Sequence, residues 1–152
     1  EQAIALGKKI KQIRFDKIFC SSSLRTRQTA ELVFPKTELN IEYLDSLREI
    51  FLGPWEGKLY KDIEVENPES HNHFWKQPHL FKLTGAENFY QLQKRAIKVV
   101  NSIVEKFESK KVVIEELPTR GSTNELREAA LATTNTNKLI STSGGRFEAF
   151  IW

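Results

Sequence analysis

Apolar residues near the start of the chain, Ile4, Leu6, Ile10 and Ile13, recur roughly at the spacing of one helical face and predict an amphipathic helix over residues 2–14. The short apolar run "KIFC" predicts a strand, and the pattern from about Thr26 to Val33 predicts a helix stopped by Pro35. "NIEYL" reads as a second strand, "LGPWEGK" as a Gly/Pro loop and "LYKDIEVEN" as a short helix. Residues 68–86, punctuated by Pro68, Pro78 and Gly85, read as a long irregular excursion. The strongest pattern lies between Phe89 and Phe107, where Leu92, Ala96, Val99, Val100, Ile103 and Phe107 line one face of a helix. "KKVVIEE" follows, and its continuous apolar centre suits a strand buried in a parallel sheet. Beyond it come a polar loop, a helix over "NELREAALA" and a strand pair turning at "SGG". Alternating helices and strands without repeats or a linker predict one α/β sandwich over residues 1–152.

Composition narrows the classes. The chain has 152 residues, enough to bury a core, with 39% hydrophobic and 28% charged residues, as in globular proteins. Lys and Arg number 23 against 20 acids, and a net charge of +3 interleaved with acids argues against a nucleic-acid partner. No apolar run has the length of a membrane span, and no signal peptide is visible. A single cysteine makes no internal disulfide, so the expected compartment is a reducing cytoplasm. No initiator Met precedes Glu1, from which the expectation is a chain truncated at the N-terminus.

The chemistry concentrates in "FCSSSLRTRQTAELVF", Phe19 to Phe34, where hydroxyls and arginines meet at a strand-to-helix turn. Such a turn suits a phosphate group, because a guanidinium grips two phosphate oxygens as a planar fork. The familiar glycine-rich phosphate loops, G-x-x-x-x-G-K-[ST] and G-x-G-x-x-G, are absent. A cysteine phosphatase loop needs Cys, five residues and Arg; from Cys20, Arg25 comes one residue early and Arg27 one late. Cys20 therefore reads as a buried, inert thiol at a strand end. Ser21 reads as support for the turn or as the cap of the following helix, the cap being the simpler role.

"SSSLRTRQTAEL" resembles the second signature of the histidine phosphatase superfamily, the phosphoglycerate mutase-like proteins. "LREIFLGPWEGK" is similar to that family's Leu-x-Glu, Gly-x-x-Glu-Gly block, and "LTGAENFYQLQKRAIKVV" to its Gly-Glu-Ser block and arginine-bearing helix. "EQAIALGKKI" and "KKVVI" are similar to its first helix and to the strand before its second histidine, and "GGRFEAFIW" resembles its closing strand. The resemblance implies a three-layer α/β sandwich with a mostly parallel central sheet, lacking the family's N-terminal strand.

It also implies roles. Arg25 falls on the phosphate-clamping arginine, whose fork stabilises charge during transfer. Glu49 falls on the proton-donor carboxylate, which acts on the leaving oxygen if its surroundings raise its pKa. Arg27 reads as a solvated surface residue, and Gly53, Trp55 and Gly57 as loop geometry and packing. The family attacks phosphorus with a histidine in an N-terminal Arg-His-Gly motif, and a second histidine follows its "KKVVI"-like strand as Ser-His-Gly. Neither motif stands in this chain, which reads "EELPTRGSTNEL" after that strand. "TRGSTNE" looks like the first motif without its histidine, making Arg120, Gly121 and Ser122 candidate phosphate contacts.

His71, His73 and His79 all fall in the excursion. Two histidines at alternate positions are half a metal site at most, so they read as surface loop residues and no metal or other cofactor is expected. The family's equivalent segment lies over the active site, which makes Phe74 and Trp75 candidates for facing substrate. Two functions stay open. One is phosphoryl transfer or hydrolysis of a small phosphate monoester through phosphohistidine in the intact form, phosphatase ahead of mutase because no second set of basic residues is evident. The alternative is a non-catalytic phosphate-ester binder or fragment that keeps Arg25 and Glu49 without a nucleophile.

Overall fold

The computed structural model describes residues 1–116, 140–141, 145–146 and 148–151; side chains beyond Ile114 are not described. The elements in chain order are α1 (Gln2–Ile10), β1 (Lys17–Ser21), α2 (Leu24–Val33), β2 (Ile41–Leu44), α3 (Tyr60–Glu66), α4 (Pro68–Lys76), α5 (Phe89–Lys106) and β3 (Val112–Glu116). They are followed by β4 (Ile140–Ser141), β5 (Gly145–Arg146) and β6 (Glu148–Ile151), while 3₁₀ turns cover Asp45–Leu47, Gly53–Trp55 and Pro78–Leu80. The main sheet has the order β2-β1-β3-β6 and all its pairings are parallel. "KIFC" and "KVVI" are direct neighbours, with Ile18 opposite Val113 and Phe19 opposite Ile114. The short β4–β5 pair is antiparallel, as the "SGG" turn predicted.

Alternation along the strands sorts the core into two faces. Ile18, Cys20 and Val113 pack with Ala30 of α2, and Phe15, Phe34, Ile41 and Tyr43 close around them. Phe19, Val112 and Ile114 face the other way, against Ile103, Val99, Val100 and Phe107 of α5 and its end. Helices on both faces of a parallel sheet give the three layers of an α/β sandwich. α1 docks on α2 so closely that a Cβ on Gly7 would lie 2.5 Å from the Val33 carbonyl oxygen.

Local chemistry explains the boundaries. α1 stops at Ile10, short of the predicted residue 14. α2 starts at Leu24, ahead of the predicted Thr26, because its cap is Ser23 and not Ser21: the Ser23 hydroxyl accepts from the Thr26 N–H. Ser21 is instead fully buried at the end of β1, where its hydroxyl accepts from the Ser23 N–H. α5 opens with a reciprocal capping box between Asn88 and Gln91.

The excursion is the main departure. Residues 68–76, expected to be irregular, form α4, because Pro68 stands at the first helical position, where its missing N–H leaves no bond unmade. Its core is aromatic: Trp55, Phe74, Phe81 and the base of α5 at Phe89 and Leu92 form one cluster with Ile50 and Ile63. The Phe74 and Phe81 rings meet edge-on at 5.1 Å, and Trp55 tilts against Phe81 at 5.4 Å.

Candidate active site

Parallel strands bring their carboxyl ends to one edge, where open α/β sheets place ligands. β1 ends there at Ser21, β2 at Leu44 and β3 at Glu116. The turn after β1 is stapled to β2 by the Ser22 N–H, which donates to the Leu44 carbonyl, and to the next turn by the Ser22 hydroxyl, which donates to Asp45. Arg25 stands in the first turn of α2, just past that staple.

Arg25 and Glu49 meet at this edge. Arg25 Nη2 donates to Glu49 Oε2 at 3.0 Å, although the residues are 24 apart in sequence. The guanidinium is mostly exposed, 71%, and the carboxylate less so, 32%. An exposed fork with one nitrogen engaged retains donors for an incoming oxyanion. Burial pushes the Glu49 carboxyl above the usual glutamate value, and the neighbouring Glu56 adds to the rise, while Arg25 opposes both.

Because the folded state holds the Glu49 proton more tightly than the unfolded state, it binds more protons as pH climbs from the ordinary value of 4.5 towards the raised one. Stability therefore falls as pH rises through that window, and the loss is complete above the raised value. Glu49→Gln removes this slope. Chemical denaturation of both proteins at several values between about pH 4 and 7 measures the difference, and parallel curves would contradict it.

Arg27 is exposed at the surface, as expected, and also has partners there. Its Nε donates to the Ser22 carbonyl at 3.1 Å, and its guanidinium lies 4.4 Å from the Tyr43 ring centre. It braces the turn by a hydrogen bond and a cation–π contact. Cys20 is fully buried within the core, in keeping with an inert thiol. Arg120, Gly121 and Ser122 lie outside the described residues, as does the helix expected over "NELREAALA".

The histidines are placed differently from the loop expected. His71 and His73 stand on α4 and His79 in the following 3₁₀ turn. Residues two apart on a helix face different directions, so His71 and His73 do not form half a metal site. His71 Nε2 instead accepts from the Trp75 indole N–H at 3.0 Å, one turn along the helix. Among the described residues no group of His, Cys, Asp or Glu is arranged to hold a metal.

Sequence reasoning missed one charged cluster, Arg95 with Glu87. Arg95 Nε and Nη2 donate to the two Glu87 carboxylate oxygens at 2.9 and 2.7 Å. Its remaining N–H groups reach the carbonyls of Ser46, Arg48 and Glu49 at 2.8, 3.0 and 3.4 Å. The signal was present in "GAENFYQLQKR", but nothing in a linear reading says that both side chains fold back onto residues 46–49.

The family model of the histidine phosphatase superfamily, branch 1, matches residues 1–115. The adenosylcobalamin/alpha-ribazole phosphatase of Escherichia coli K12 is 32% identical over 72 residues, 47% of this chain and 36% of that protein. The corresponding Salmonella typhimurium protein is 33% identical over 70 residues, 46% of this chain and 35% of its own length. Among solved structures, Bacillus stearothermophilus YhfR superposes with a TM-score of 0.78 at 36% identity, over 87% of this chain and 64% of that one. A mycobacterial glucosyl-3-phosphoglycerate phosphatase shares the fold, with a TM-score of 0.73 at 22% identity over 90% of this chain and 67% of that one. The matched stretch thus spans about a third of the curated relatives' length. Among the described residues no helix is long and apolar enough to cross a membrane.

Proposed function

This chain belongs to the histidine phosphatase superfamily, and on that premise we propose that it binds the phosphate of a small phosphorylated compound at the Arg25–Glu49 edge, as part of a phosphate monoester hydrolase. The observation that carries this reading is the meeting of Arg25 and Glu49 at the carboxyl edge of a parallel sheet. The Arg25 guanidinium grips the phosphate oxygens and offsets the charge that builds on them. Glu49, with its pKa raised by burial, supplies a proton to the leaving oxygen. Arg120, Gly121 and Ser122 are assigned as further phosphate contacts, a reading supported by β3, which precedes them and ends at the same edge. The alpha-ribazole phosphatases among the relatives favour hydrolysis over transfer between two hydroxyls. The single buried cysteine is in keeping with a reducing, cytoplasmic setting.

Arg25 supplies the test. Charge-assisted bonds to a phosphate contribute about 1.5–3 kcal/mol, so Arg25→Ala is expected to weaken phosphate or vanadate binding about 10–100-fold. Arg27→Ala, whose guanidinium is engaged by Ser22 and Tyr43, should weaken it far less. Equal losses in calorimetric titrations of the two variants would remove Arg25 from the site.

A further inference from the structure

Arg95 has five N–H groups, and the structure gives every one of them an acceptor. Two bonds go to Glu87 and three to carbonyls of residues 46, 48 and 49. The side chains of Arg95 and Glu87 are largely buried, 26% and 15% exposed. Arg95 therefore has no donor left for a substrate, and its charge is answered by Glu87. Glu87 extends the grip: its N–H donates to the Phe51 carbonyl at 2.7 Å, and its carboxylate accepts from the Phe51 N–H at 3.3 Å. Every backbone contact of the pair falls on the segment that carries Glu49.

We propose that Arg95, locked in place by Glu87, is the positioning residue for Glu49: it fixes the backbone of residues 46–49 so that the Glu49 carboxylate meets Arg25 half-buried at the sheet edge. This inference rests on the proposed role of Glu49 as the proton donor. Three carbonyls of one turn are held here by a cation with several donors in one plane, which a guanidinium provides and an ammonium does not. Arg95 acts through geometry: its charge is answered by Glu87, while burial, Arg25 and Glu56 set the direction of Glu49's acidity.

The test follows the Glu49 carboxyl by carbon NMR in the full chain, its signal identified by its loss in Glu49→Gln. Among the described residues, the charged groups acting on it are Arg25 of α2 and Glu56 of the following loop, with the Arg95–Glu87 pair of α5 behind its backbone. In Arg95→Lys the segment loosens and Glu49 gains solvent, so its titration midpoint moves down towards the ordinary glutamate value. Phosphate affinity, which depends on Arg25, changes less than about threefold. Glu87→Gln deprives Arg95 of one of its two carboxylate acceptors, loosens its hold on the carbonyls, and should shift the midpoint in the same direction by less.

A merely structural role lowers the melting temperature and leaves the midpoint of the folded protein where it was; that result overturns the proposal. Should Arg95→Lys fail to fold, Glu87→Gln decides alone, a downward midpoint supporting positioning and an unmoved one refuting it. Failure of the phosphate-binding reading is distinguishable. Wild-type chain that binds no phosphate removes that reading but leaves the midpoint shift measurable, whereas normal phosphate binding with an unmoved midpoint removes only the role of Arg95.

Discussion

The 152-residue chain is expected to bind phosphate yet hydrolyse an aryl phosphate at close to the uncatalysed rate. Covalent phosphoryl transfer needs a nucleophile held in line with the leaving oxygen, and the family resemblance makes that nucleophile a histidine in a motif this chain does not carry. Losing the nucleophile of a covalent mechanism lowers turnover on the order of 10⁴–10⁶-fold, leaving what binding and charge stabilisation supply. The histidines at 71 and 73 belong to α4, with His71 engaged by Trp75, and His79 sits in the next turn. None of them lies in a sequence context that matches either histidine motif. Steady-state assay of this chain, with replacement of all three histidines as control, measures the effect. Turnover far above background that survives that replacement would show the nucleophile argument wrong, and mass spectrometry of the trapped phosphorylated residue would locate the group responsible.

Gly53→Ala is expected to destabilise the fold by about 2–5 kcal/mol. Gly53 has φ +52°, and a Cβ there would lie 2.1 Å from the Gly85 carbonyl oxygen, a backbone atom that cannot swing away. The contact ties the Gly53–Trp55 turn to the end of the excursion at Gly85, so an added methyl pries apart the base of the Trp55–Phe74–Phe81 cluster. Gly57 makes the control. Its φ is +78° but a Cβ there meets nothing within 4 Å, so Gly57→Ala carries only the backbone strain of about 1–2 kcal/mol. Thermal or urea unfolding of both variants checks the order, and equal losses would show that the Gly53–Gly85 contact is not what constrains the site.

The same excursion shows where a linear reading stops. α5 was legible because six apolar residues repeat on one face between Leu92 and Phe107. α4 was not, because Pro68 signals a helix start as well as a break, and only the aromatic packing of Phe74 decides between them. The shift of the α2 cap from Ser21 to Ser23 has a similar origin. Adjacent serines are interchangeable in sequence until β1 buries the first and leaves the third at the helix entrance.

What the sequence determined by itself is the order of elements and the chemical types at the site: apolar runs that must be buried, and an arginine and a glutamate in recognisable motifs. Periodicity and composition act over neighbouring residues, so these features survive without any knowledge of the fold. The tertiary structure alone decided that Arg25 and Glu49 touch, and that Arg95 and Glu87 grip the backbone beneath Glu49. It also gave the exposed Arg27 a bracing role. Contacts across 24 to 49 positions arise from parallel strand pairing and the return of α5 over the sheet. A hydrogen bond depends on such distances through space, and no local pattern of residue types encodes them.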